Sequence, residues 1–162
     1  MMRKLLPLLL FLAFSSLASA DAVVNVGVGK GIFGAPGTPF ERSVSGGYQW
    51  VIGTDFFVRP EAGWFEDLSG HGESSLWVSP LIGVRTISHF GPELHIAVGP
   101  AYLQNPDQVL GGHFQFSLEG GVGISDGKTS LGLEWKHLSS AGIEMPNQGR
   151  DFISIQLRIL IL

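Results

Sequence analysis

The chain of 162 residues contains no cysteine, so disulfides and thiolate metal sites are excluded. Positive charge is scarce, with 10 Lys and Arg against 14 Asp and Glu and a formal net charge of −4. No basic patch or arm marks a nucleic-acid binder. After Phe14 no apolar run approaches the ~20 residues that a transmembrane helix needs. Helical periodicity of useful length is missing as well.

The first residues read Met1-Met2-Arg3-Lys4, an apolar run from Leu5 to Phe14, then Ala18-Ser19-Ala20. A positive start, an apolar core and an A-x-A site describe a secretory signal peptide cut after Ala20. The alternative, a retained membrane helix, is too short to cross a bilayer. Residues 1–20 are thus expected to be removed, and residues 21–162 to form one domain. Losing Arg3 and Lys4 takes the charge from −4 to −6. Glycine is abundant, 23 residues or about twice the usual share.

What remains alternates with a period of two. Eight strands are expected at Ala22–Lys30, Ser43–Thr54, Phe56–Phe65, Leu76–Ser88, Glu93–Leu103, His113–Ile124, Thr129–His137 and Asp151–Leu162. Turn chemistry separates them, as in Q-N-P-D and S-D-G-K. The seventh strand sets Leu131, Leu133 and Trp135 against Gly132, Glu134 and Lys136, and the eighth sets Ile153, Ile155 and Leu157 against Ser154, Gln156 and Arg158.

A soluble sandwich or lipocalin would alternate too, with its apolar face inward. The second face decides. It mixes glycines with Arg59, Glu61, Arg85, Glu119, Glu134, Lys136 and Arg158, which suits a crowded interior of paired charges better than a solvated surface. Strands of about ten residues match a bilayer span. The expected fold is all-β, an eight-stranded antiparallel transmembrane β-barrel with a lumen filled by side chains. Pro60, Pro80 and Pro100 fall inside these strands, each removing a ladder donor, and are expected to mark bulges or strand boundaries.

The fifteen residues H-L-S-S-A-G-I-E-M-P-N-Q-G-R-D, His137 to Asp151, carry the chemistry. A serine hydroxyl is a poor nucleophile until an imidazole takes its proton, and the imidazole needs a carboxylate to fix its tautomer. By strand parity His137 shares a face with Leu133 and Trp135, and Asp151 with Ile153 and Ile155, so both point outward towards lipid. An ionisable group at such a position is a functional candidate by default. An antiparallel hairpin would bring them side by side, with Ser139 and the Pro146-Asn147 turn between. With both termini in the periplasm, the connection after an odd-numbered strand is extracellular, which sets this one at the outer leaflet.

On His137, Ser139, Ala141-Gly142, Pro146-Asn147, Gly149 and an acid fourteen residues after the histidine, the segment resembles the PagL-type lipid A 3-O-deacylases. The resemblance implies Ser139 as nucleophile, His137 as general base and then acid, and Asp151 as the group orienting His137. It implies further that Asn147 and the backbone amide around Gly142 stabilise the oxyanion; one such donor is worth roughly 3 kcal/mol of barrier. The acid is usually Glu in that family, and the residue after the nucleophile is commonly Asn; here they are Asp151 and Ser140. The implied reaction is hydrolysis of the ester-linked acyl chain at the 3-position of lipid A, in the outer membrane of a Gram-negative bacterium. Lipopolysaccharide and membrane lipids are then the partners, no cofactor or metal is required, and a homo-oligomer is left open.

Plainer roles compete at several positions. A non-catalytic structural or adhesive barrel would use His137 and Ser139 as a polar rim, and a soluble periplasmic barrel is a third reading. His95 and His113 sit on lumen-facing positions, while His71 and His89 lie in or beside loops. Trp50, Trp64 and Trp135 suit an interfacial aromatic belt. Glu134 and Lys136 read as an interior ion pair, and Asn147 as no more than a turn former after Pro146.

Overall fold

The computed structural model describes residues 20–30, 41–68, 74–86, 90–105, 110–143 and 149–161. The expected signal peptide lies outside the described residues except for Ala20. Alternating apolar and polar side chains without helical spacing produce strands: β1 Ala20–Lys30, β2 Glu41–Ile52, β3 Phe56–Asp67, β4 Ser74–Arg85, β5 Gly91–Leu103, β6 Phe114–Ser125, β7 Thr129–Ser139 and β8 Arg150–Ile161. Each pairs antiparallel with the next, and β8 closes onto β1, so every strand has two neighbours and the barrel has no edge. Strands of 11 to 13 residues, tilted as in a barrel, rise about 30 Å and match a hydrocarbon core.

The two faces are inverted relative to a soluble protein. Val24, Val26, Ile82, Ile96, Leu133, Ile153 and Ile155 are exposed, whereas Asn25, Gln49, Arg59, Glu61, Glu119, Glu134 and Gln156 are buried. Apolar-out and polar-in is the pattern of a barrel solvated by lipid, and it excludes the soluble alternative.

Short connections (53–55, 86–90 and 126–128) share one end of the barrel with the outermost residues of β1 and β8. One of them is an Asx turn: Asp126 Oδ1 accepts from the Lys128 and Thr129 amides at 2.8 and 2.6 Å, which holds its carboxyl below the ordinary carboxylate range. The other end carries the longer connections 31–40, 104–113 and 140–149, and 68–73 as well.

Charges fill the lumen in pairs. At the terminal end Asp21 accepts from Arg85 at 2.6 Å and Arg158 at 3.1 Å, and Arg158 also pairs with Glu93. Midway, Arg59 faces Glu61 at 3.2 Å, Glu134 at 3.4 Å and Glu119. Lys136 reaches Glu61 at 2.5 Å and Glu119 at 2.9 Å. Glu134 also meets His95 at 3.3 Å and Gln156. Glu134 and Lys136 therefore pair with other residues: two positions apart on one strand, they point the same way and take separate partners, some across the lumen on β3 and β5 and some on the neighbouring β6 and β8. His95 faces the lumen as expected, packed so closely on β6 that a Cβ on Gly121 would come within 2.1 Å of its Cε1. His113 does not. It is exposed just before β6, with Nδ1 2.8 Å from the Leu103 carbonyl and its ring stacked 5.4 Å from Tyr102.

Above these charges, at the long-loop end, an apolar plug of Phe65, Trp77, Ala101, Leu103, Leu110, Leu138 and Phe152 closes the cylinder. Glu41 and Arg150 pair there.

The prolines mark neither bulges nor boundaries. Pro60 lies opposite Pro80 within continuous β3–β4 pairing. On β4–β5 the ladder lapses between Val78↔Tyr102 and Ile82↔Val98 and resumes in the same register, spanning Pro80 and Pro100. Two facing prolines, each without an N–H, interrupt hydrogen bonding there without inserting a residue.

Candidate active site

The hairpin of β7 and β8 pairs His137 directly with Asp151 and Leu138 with Arg150. Alternation then sorts the side chains. Leu138 and Phe152 turn inward and are locked into the apolar plug, which fixes the backbone from behind. His137 and Asp151 stand on the outer face, with His137 Nδ1 3.0 Å from Asp151 Oδ1. A carboxylate can only accept, so Nδ1 carries a proton, and the neutral form of the ring keeps its lone pair on Nε2.

Asp151 is on the outer face yet only 2 % exposed. The expectation that it looks out into hydrocarbon is corrected accordingly: Trp135 and His137 cover it. The Trp135 indole Nε1 donates to the same Oδ1 at 2.9 Å. Its ring stacks on His137, with centroids 6.0 Å apart and planes 22° from parallel. His137 keeps 23 % of its side chain accessible.

The ring of His137 extends from Asp151 along β8 towards the loop. A Cβ on Gly149 would meet its Cε1 at 2.6 Å and its Nε2 at 3.2 Å. The basic nitrogen is thereby turned to the loop end of the hairpin. Ser139, the last residue of β7, lies there on the same face, half-buried and in register with Phe116 of β6. Among the described residues no hydrogen bond joins Ser139 Oγ to His137 Nε2. Two positions on one face are about 7 Å apart along a strand, and such contacts often tighten only with substrate in place.

After Ser139 the chain turns at once. Ala141 and Gly142 have φ of 53° and 82°, and the Ile143 amide donates to the Ser140 carbonyl at 3.0 Å. Two successive positive φ angles closed by this bond are those of a type I′ turn. Gly142 sits at its exposed tip, with its own N–H outside the turn's hydrogen bond. Asn147, and Pro146 before it, lie outside the described residues.

Outward from His137, Leu118 lies directly opposite on β6. It borders an apolar groove of about 260 Å³ on the outer surface, with Ile82, Ile96 and Val98 along its sides and Gly83 and Ala97 in its floor. Among the described residues, the carboxylates that could gather round a metal are Glu61, Glu119 and Glu134. Arg59 and Lys136 already stand among them as counter-ions.

Residues 49–159, which include His137, Ser139 and Asp151, match the family model described as Lipid A 3-O-deacylase (PagL). The chain belongs to the PagL family. The outer membrane enzyme PagL has a similar solved structure, with a TM-score of 0.61 and 22 % identity, over 86 % of this chain and 98 % of that one. A de novo designed transmembrane β-barrel gives 0.60 at 13 % identity, over 88 % and 95 %. The N-terminal barrel domain of Pseudomonas aeruginosa OprF gives 0.61 at 8 %, over 88 % and 97 %. These likenesses establish the outer-membrane barrel fold. Among curated proteins no sequence is significantly similar to this PagL-family chain.

One member of the cluster escaped sequence reasoning. Trp135 had the signature of a belt residue, and only the register of the hairpin brings its indole to Asp151. Its place two residues before His137 on the same face was the available signal.

Proposed function

We propose that this PagL-family barrel is a serine esterase that hydrolyses the acyl ester at the 3-position of lipid A. The observation that carries the reading is the His137–Asp151 contact on the lipid-facing surface, with a serine two residues further along β7 on the same face. Ser139 Oγ attacks the ester carbonyl carbon while His137 Nε2 accepts its proton. The tetrahedral oxyanion collapses, the bond between the acyl carbon and the 3-oxygen breaks, and His137 returns the proton to that oxygen, which leaves with the sugar. Water, deprotonated by the same nitrogen, then cleaves the acyl-serine and releases the fatty acid. Asp151 keeps the imidazole in the productive tautomer and steadies its positive charge. The Gly142 amide and Asn147 are assigned to the oxyanion.

Delivery of substrate follows from where these groups stand. The charge-filled lumen has no room for a multi-acyl glycolipid, whereas a site on the outer wall meets lipid without extracting it. The end bearing the long connections is assigned to the cell exterior, as is usual for such barrels, so the hairpin tip lies at the outer leaflet. The groove that Leu118 borders, lined mainly by β4 and β5, offers an apolar bed on the outer wall to one side of His137.

Mass spectrometry of lipid A from cells expressing the parent chain, His137→Ala and Ser139→Ala tests this. Loss of one hydroxyacyl chain is expected with the parent alone, all three being folded in the outer membrane. An unchanged parent profile, or deacylation by either variant, sinks the proposal and returns the protein to a structural barrel.

A further inference from the structure

We infer that Trp135 is a positioning residue for Asp151, holding the carboxylate that orients His137 by a hydrogen bond of its own. The inference rests on the reading of His137, Ser139 and Asp151 as the catalytic set. Asp151 is almost wholly buried on the lipid side of the barrel, where water is not at hand to solvate a carboxylate. It must therefore be held by donors from the protein. Two of them converge on a single oxygen: Trp135 Nε1 at 2.9 Å and His137 Nδ1 at 3.0 Å. An indole has a donor and no acceptor and swings on only two side-chain torsions. Its N–H thus points Oδ1 at His137 whether or not the imidazole is charged.

The stacking of the two rings adds a second constraint. With planes 22° from parallel, the indole bears on the face of His137 while its nitrogen holds the acid at the imidazole's edge. Asp151 has a short side chain, so a small rotation would carry Oδ1 out of line with Nδ1. A plain belt tryptophan would aim its N–H at headgroups or water. This one turns it back into the wall.

Trp135→Phe keeps an aromatic ring over His137 and deletes the donor. In the purified full-length barrel, with lipid A as substrate, kcat is expected to fall about tenfold or more with KM changed less than twofold, as for loss of alignment. In an Asp151→Ala background the same substitution should cost less than twofold, because the residue it serves is gone. A second readout does not need turnover. The indole N–H proton resonance of Trp135, among those of the four tryptophans, should stand downfield and move upfield in Asp151→Ala. Unaltered kcat in Trp135→Phe, equal losses in both backgrounds, or an indole resonance indifferent to Asp151 would each overturn the inference. Should His137→Ala and Ser139→Ala remain active, the catalytic reading falls and takes the positioning role with it. Should they be dead while Trp135→Phe is fully active, only the role of Trp135 fails.

Discussion

Gly149 lies against the Cε1–Nε2 edge of His137, close enough that a Cβ there would come within 2.6 Å of Cε1. Gly149 also has a φ of +69°, which side-chain-bearing residues adopt at a cost. Steric room and backbone conformation thus both call for glycine beside the proposed base.

Gly149→Ala is accordingly expected to push the imidazole off its line between Asp151 and Ser139. Displacement of about 1 Å can cost ~100-fold in rate, so kcat should fall by about that factor. The barrel itself should still fold, since the outer wall is held by ladders elsewhere. Ester or lipid A turnover, with heat-modifiable gel mobility as the check on folding, decides it; activity within about threefold of the parent would contradict the steric argument.

The lumen predicts a contrast in stability. Arg59 is buried among Glu61, Glu119 and Glu134, so Arg59→Met leaves Lys136 as the one remaining Lys or Arg beside them among the described residues. Removing one partner from a buried ion network typically costs about 3–5 kcal/mol. Arg42 pairs with Glu66 at the exposed long-loop end of β2 and β3, its side chain 58 % accessible, and Arg42→Met should cost less than about 1 kcal/mol. Urea unfolding in detergent measures both. Equal effects would mean that the interior charges do not hold the barrel together.

The lack of cysteine makes sidedness directly measurable. Ile143, 72 % exposed beside the hairpin tip, and Lys128, in the turn between β6 and β7, lie at opposite ends of the barrel. In intact cells a membrane-impermeant maleimide should label Ile143→Cys and spare Lys128→Cys until the outer membrane is breached. The reverse pattern would put the candidate site on the periplasmic side, away from the outer leaflet.

Much of this architecture was legible in the residues. Period-two alternation with charges on the second face led to eight strands and to their inside and outside, and parity alone turned His137 and Asp151 to the same wall. Parity does not reveal what lies across a lumen. Glu134 and Lys136 could be seen to face inward, but their partners Arg59 and Glu61 on β3 and His95 on β5 depend on barrel closure and stagger. The prolines misled because ladder loss was equated with a change of register, whereas pairing on either side of Pro80 and Pro100 carries the strands through. His113 has the parity of a lumen-facing residue, but it stands one residue before β6, where the chain no longer obeys strand parity. For Trp135 the pattern shows the face and the neighbourhood, but not the direction of its hydrogen bond.

The paired charges and the apolar plug also decide what this cylinder does to its host. With Arg59, Glu61, Glu119, Glu134 and Lys136 packed across the middle and Leu110, Phe65 and Phe152 across one mouth, the lumen is filled by side chains among the described residues rather than open as a pore. Many copies of a cylinder filled in this way can sit side by side in a membrane without a pore running through any of them.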